Sequence, residues 1–192
     1  MSRILIVYGT SHGQTAKICR RIALMLSLAD HEVVLQQADR LPADTRFADF
    51  DGVLVAGSVK YGKHQPYLAD LVTRRAGELN HVRSAFLSVC GALAGSWPDG
   101  PAVAAKYVSE FIAKTGWHPN LTRSVAGAVA YTRYPFLTRM VMKLISARTG
   151  RPTDTSRDWE FTSWPEIDEF AATVGKLVRP DTAAQPEVTE VS

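Results

Sequence analysis

Three hydroxyls and two glycines stand between the apolar run Ile4–Tyr8 and the start of a helical pattern, in the stretch Tyr8-Gly9-Thr10-Ser11-His12-Gly13-Gln14-Thr15. A strand that feeds a loop of small and hydroxyl residues at a helix N-terminus makes a phosphate cradle. Free N–H groups and the positive end of the helix dipole hold the anion. The hydroxyls of Thr10, Ser11 and Thr15 each add a possible donor. The loop lacks the Gly-Lys-Ser/Thr of a P-loop, no G-x-G-x-x-G is present, and no Lys or Arg lies between Gly9 and Ala16. A neutral cradle suits a monophosphate ester better than a triphosphate with Mg²⁺. The plainer alternative is a Ser/Thr-rich helix cap with no ligand.

The elements that must position this loop follow from hydrophobic period. Strands are expected at 3–8, 32–36, 52–56, 85–89 and 124–130, and helices at 13–29, 65–79, 102–115 and 163–178. The run Gly52-Val-Leu-Val-Ala56 is continuously apolar, as a central parallel strand covered on both faces should be. Ser163, Pro165 and Glu166 spell a capping box at the start of the last helix. Alternating strands and helices give an α/β fold, an open parallel sheet between two helical layers. Ligands of such sheets bind at the C-terminal strand ends, which selects the loops 9–15, 57–62 and 90–98.

With 192 residues the chain suits one domain, 1–178, followed by a Pro-, Thr-, Ala- and Glu-rich tail, 179–192, expected to be disordered. Cys19 and Cys90 form neither a disulfide framework nor a metal spacing, and read as buried thiols of a reducing compartment. A net charge of +3 is too weak to imply nucleic acid. Neither a signal peptide nor a membrane-spanning run is legible, so a cytoplasmic protein is expected. Oligomeric state is not legible.

The pattern aromatic-x-Thr-x-x-Gly-x-Thr after a first strand resembles the FMN-phosphate loop of the flavodoxin family, with Cys19 where that family usually has alanine. The resemblance implies a flavodoxin-like three-layer sandwich, five parallel strands in the order 2-1-3-4-5, and FMN as cofactor. Thr10, Ser11, His12, Gly13, Gln14 and Thr15 then hold the phosphate. Ser58, Val59, Lys60, Tyr61 and Gly62 face the ring, together with Ser88, Val89, Cys90, Gly91 and Trp97. Tyr61 is a candidate to stack on the ring. Gly57 and Gly62 permit close backbone approach. Lys60 either favours the anionic reduced flavin or is a solvated lysine. Trp97 either stacks on the ring or covers the sheet edge. His12 reads as an exposed loop residue, and no catalytic acid, base or metal ligand is assigned.

Residues 131–158 exceed an ordinary βα connection. They carry Arg133, Arg139, Lys143, Arg148 and Arg151, while Leu137, Met140, Val141, Leu144 and Ile145 fall on one helical face. Such a helix, 136–148, suits an anionic membrane surface or an amphipathic ligand, or it packs on its own sheet. Period alone does not separate these.

Several pieces together resemble the menaquinone-dependent protoporphyrinogen oxidase family over residues 3–178. They are 8–15, 57–62, 85–89, Gly116-Trp117-His118-Pro119, Ala126-Gly127-Ala128, Tyr131-x-Arg133-Tyr134-Pro135, Met142-Lys143-Leu144-Ile145 and Thr153-Asp154-Thr155. Loop 90–101 departs from that pattern, being rich in Gly, Ala and Pro and without a basic residue. The resemblance implies FMN-dependent, six-electron oxidation of protoporphyrinogen IX to protoporphyrin IX in haem synthesis. Electrons pass to a membrane quinone from a protein peripheral to the cytoplasmic face of the inner membrane. Tyr131, Arg133, Tyr134, Arg139 and Lys143 are the substrate or membrane candidates, the arginines pairing propionates. Three rivals remain. A flavodoxin electron carrier would be expected to be acidic and to lack the insertion. A flavodoxin-like NAD(P)H:quinone reductase would be bleached rapidly by NADPH. A non-catalytic porphyrin binder would bind porphyrin without flavin reduction.

Overall fold

The computed structural model describes residues 1–133, 135–148, 150 and 152–179. Five strands run parallel at its centre: β1 (Arg3–Gly9), β2 (Glu32–Gln37), β3 (Gly52–Lys60), β5 (Arg83–Cys90) and β6 (Leu121–Ala126). A short β4 (Lys63–His64) pairs antiparallel with the end of β3. The order across the sheet is β2-β1-β3-β5-β6. The sequence expectation of five strands in the order 2-1-3-4-5 therefore holds for the parallel strands. It is corrected by the extra strand β4, which shifts the numbering.

Successive side chains of a strand face opposite ways, and the central strands use this to feed two cores. Ile4, Ile6, Leu54, Ala56, Ala85 and Leu87 face helices α1 (Gln14–Leu28) and α5 (Trp164–Val178). Leu5, Val7, Val53, Val55 and Phe86 face α2 (Pro66–Leu79) and α3 (Gly100–Thr115). On the second face Phe86 stacks on Phe111 at 4.6 Å, and the buried Trp117 donates from Nε1 to Ser84 Oγ at 3.1 Å. Both cysteines are buried and in no disulfide, and burial pushes the Cys19 thiol up.

Three expectations are corrected. The third strand does not stop at Ala56. It continues to Lys60, because the turn lies at Tyr61-Gly62 and the chain returns as β4. The fifth strand begins earlier, at Leu121, and breaks at Gly127. Beyond it, β7 (Ala128–Val129) leaves the central sheet to pair antiparallel with β8 (Trp159–Glu160). Ser163 sits at the N-cap of α5, but its hydroxyl makes no capping bond, so the capping box is absent. Between β7 and β8 lies the insertion with helix α4 (Phe136–Arg148). Of the expected tail, residues 180–192 lie outside the described residues, as does Tyr134.

Candidate functional site

Strand β1 ends at Gly9 and α1 begins at Gln14, so residues 10–13 form the whole connection. Gly13 takes φ +91° as N-cap of α1, a left-handed conformation that glycine adopts without a Cβ clash. Its N–H donates to Thr10 Oγ1 at 3.0 Å, and this leaves the Thr10 hydroxyl proton to be given elsewhere. The Thr10 N–H itself donates to Tyr67 Oη at 3.0 Å. The first-turn N–H groups of α1 have no partner within the helix. Thr15 is fully buried, and its Oγ1 has no hydrogen-bond partner among the described residues. A buried orphan hydroxyl beside free helix N–H groups is the chemistry an incoming anion completes.

Tyr61 (φ 53°) and Gly62 (φ 78°) form a two-residue hairpin turn between β3 and β4. Positive φ at both central positions is the type I′ arrangement. Tyr61 pays steric strain for it, on the order of 1–3 kcal/mol, and such strain gathers at functional sites. The side chain stands 80 % exposed with Lys60 Nζ 5.2 Å from its ring centroid.

Behind the hairpin, Gln65 ties two loops together. Its Nε2 donates to Ser11 Oγ at 3.3 Å and also to Ser58 Oγ. His64 is buried between Phe86 and Phe111, with Nε2 3.0 Å from Ser88 Oγ. Burial pushes its imidazole down to about 4, so it is neutral at ordinary pH. Gly57 is bare for a reason other than ligand approach. A Cβ there would lie 2.6 Å from Leu68 Cδ2, so the residue serves the packing of α2.

The three loops meet at one cleft of about 160 Å³. Thr10, Ser11, His12, Gln14, Thr15, Ser58, Val59, Lys60, Tyr61, Val89, Cys90 and Gly91 line it, joined by Gly127, Ala128 and Met142. Gly13 and Gly62 do not line it, and Gly62 lines the neighbouring concavity beyond Tyr61. Ser88 is fully buried under the floor. Trp97 is half-buried against the cluster of Cys90, Ala92 and Ala104 and does not reach the cleft. His12 is half-buried. Burial, then the charges of Lys60 and Arg133, push it below the ordinary imidazole range. Sequence reasoning missed Gln65, His64 and Tyr67. The available signal was Pro66, which marks the start of α2 and holds Gln65 before it in an extended conformation.

The insertion reaches the same cleft. Arg133 Nη1 donates to the His12 carbonyl oxygen at 2.5 Å, and Met142 of α4 lines the rim. Tyr131 is fully buried. Its Oη donates to the Pro152 carbonyl at 3.1 Å and lies 2.6 Å from Ser146 Oγ. It anchors α4 and presents no face to a substrate. Arg139 is half-buried and Lys143 exposed on α4. The apolar face of the helix points outward: Leu137 is 77 % and Met140 56 % exposed, and Phe136, Val141, Leu144 and Ile145 are exposed with them. Of the sequence alternatives for this helix, packing on its own sheet is set aside by that exposure.

Comparison with known proteins agrees with this architecture. The flavodoxin domain family model matches residues 5–156, so the chain belongs to the flavodoxin family. A relative from Escherichia coli strain K12 named protoporphyrinogen IX dehydrogenase [quinone] is 27% identical over 175 residues, 91% of this chain and 96% of its own length. A protein of the same name from Leishmania major is 29% identical over 177 residues, 91% of this chain and 75% of its own length. Oxidised flavodoxin 1 from Bacillus cereus superposes with a TM-score of 0.52 at 13% identity, covering 91% of this chain and 98% of its own, a likeness of fold.

Proposed function

We propose that this flavodoxin-family chain is an FMN-dependent oxidoreductase that oxidises protoporphyrinogen IX to protoporphyrin IX and delivers the electrons to a membrane quinone. The observation that carries this reading is the outward apolar face of α4, beside a cleft lined by the buried, unpartnered Thr15 hydroxyl, in a chain whose relatives bear the dehydrogenase name. A soluble carrier has no use for such a face.

In this reading the orphan hydroxyl of Thr15, the Thr10 and Ser11 hydroxyls and the first-turn N–H groups of α1 hold the FMN phosphate. Residues 58–61 and 89–91 border the ring. Bound FMN supplies two-electron acceptance, used three times per product. The cleft, about 160 Å³, has Tyr61 and Met142 among its lining residues. Gln65 keeps the phosphate loop and the 58–60 arm in register. Arg133 spends its guanidinium on the His12 carbonyl, which closes the loop from the insertion side.

Helix α4 rests on the cytoplasmic face of the inner membrane, with its apolar side chains among the lipid and Lys143 and Arg148 toward headgroups. Among the described residues no helix is long and apolar enough to cross a membrane. The deciding assay is quinone-dependent turnover of protoporphyrinogen IX by the purified, FMN-loaded protein. Porphyrin fluorescence should rise only with menaquinone or ubiquinone analogues present. No turnover with either analogue sinks the assignment.

A further inference from the structure

A second, larger concavity of about 680 Å³ lies on the other side of the Lys60–Tyr61 ridge, between the β3–β4 hairpin and the outer half of α3. It shares Ser11, Lys60 and Tyr61 with the cleft already described and has its own walls. Its apolar surface comes from Tyr61, Tyr107, Phe111, Pro66 and Ala69. Three lysines, Lys60, Lys63 and Lys114, stand on its rim. Among the described residues no carboxylate pairs with any of them. Among the described residues Glu110 is the only acid lining the cavity, and it is 3.7 Å from Lys106. The floor is neutral, since His64 is held uncharged by burial.

We propose that this cavity is the binding site for the tetrapyrrole substrate, whose macrocycle lies against Tyr61 and Tyr107 while its propionates meet Lys63 and Lys114. The inference rests on the function proposed above. Two observations set the occupant. The volume falls within the range of about 300–1,000 Å³ that ligand sites use. The ring of unpaired cations over an aromatic surface complements an apolar molecule with two carboxylates, and a neutral quinone would leave those cations without partners. The arrangement assigns the two redox partners to different sides of the molecule. The anionic macrocycle takes the lysine-rimmed cavity, and the lipid-borne acceptor approaches along α4. Tyr61, strained and exposed, is the shared wall through which the cavity meets the cleft.

The test uses the full-length, FMN-loaded protein and protoporphyrin IX, followed by quenching of porphyrin fluorescence. The double variant Lys63→Glu/Lys114→Glu changes only exposed side chains and should leave the melting temperature, the flavin spectrum and the quinone KM unchanged. Porphyrin affinity should weaken by about tenfold or more, as expected for reversing two partly exposed charge contacts. Protoporphyrin IX dimethyl ester, which lacks the carboxylates, should bind wild type and variant alike. Equal protoporphyrin affinity in wild type and variant, or no porphyrin binding by wild type, overturns the site. The two proposals fail separately. Lysine-dependent porphyrin binding without turnover would sink the oxidase reading and keep the cavity as a carboxylate-tetrapyrrole site. Turnover with an unchanged KM and affinity in the variant would do the reverse.

Discussion

Helices α4 and α5 carry the same sequence signal and meet opposite fates. In α5, Ile167, Phe170, Ala171, Val174 and Val178 are at most 3 % exposed, packed on α1 and the central sheet. In α4, the side chains at the equivalent spacing, from Leu137 to Ile145, are 40 to 77 % exposed. What α4 turns inward is Met142 toward the cleft and the polar Ser146 toward Tyr131. An apolar stripe at helical spacing thus establishes a helix with a face, and the partner of that face is decided elsewhere. For α5 the partner is the sheet. For α4 the stripe stays exposed.

Four measurements bear on this contrast, and the largest effect belongs to the covered helix. Phe170→Ala should cost about 3–5 kcal/mol in denaturant unfolding, the loss for a large aromatic in a packed core. A loss below about 1 kcal/mol would mean that α5 is no better seated than α4.

Acidification should come next. The folded state holds His64 near 4, below the ordinary 6.5, so the unfolded state takes up the proton first. Stability from this group is therefore complete above pH 6.5, falls as pH drops toward 4, and is flat below, by about 3 kcal/mol in all. His31 and His12 are also pushed down, chiefly by burial, so His64→Leu should remove only part of the slope. Hydrogen exchange of α4 following the same pH profile as α2 and α3 would show the insertion to be part of the core's cooperative unit, contrary to the contrast drawn here.

Tyr131→Phe removes the hydroxyl that holds α4 to its base. The expected loss is about 1 kcal/mol, seen as faster amide exchange in α4 ahead of global unfolding. Smallest in stability is Leu137→Glu/Leu144→Glu, within about 0.5 kcal/mol of wild type because those side chains are already in water. The same variant should lose sedimentation with anionic lipid vesicles. A large destabilisation instead would show that the face of α4 is covered.

The sequence made the alternating strands and helices and the α4 stripe legible, because each spans enough residues for period to speak, while the strand order came with the flavodoxin resemblance. It left β4 invisible. Two residues are too few for alternation, and the type I′ turn carries Tyr-Gly where Asn-Gly would have announced it. Gln65 was hidden for a related reason: its role is to bridge Ser11 and Ser58, which lie far from each other in sequence. Tyr131 and Trp97 show the limit on aromatics. Residue type offered Tyr131 to substrate or membrane and left Trp97 between the ring and the sheet edge, and tertiary packing drew Tyr131 under α4 and Trp97 onto the Cys90 cluster. The Ser163 capping box failed on a local point, since its hydroxyl does not engage the helix it precedes.

The two-rung ladder of β7 and β8 carries one more consequence. Ala128 faces Glu160 and Val129 faces Trp159, so the insertion leaves and rejoins the fold on opposing rungs. Everything between is a removable cassette with its ends already side by side. A two-residue turn could bridge them without shifting a strand of the central sheet. The cassette's ties to the cradle are Arg133 Nη1 on the His12 carbonyl and Met142 at the rim, so a chain cut back to that turn would keep the central sheet and lose the closure of the loop from that side.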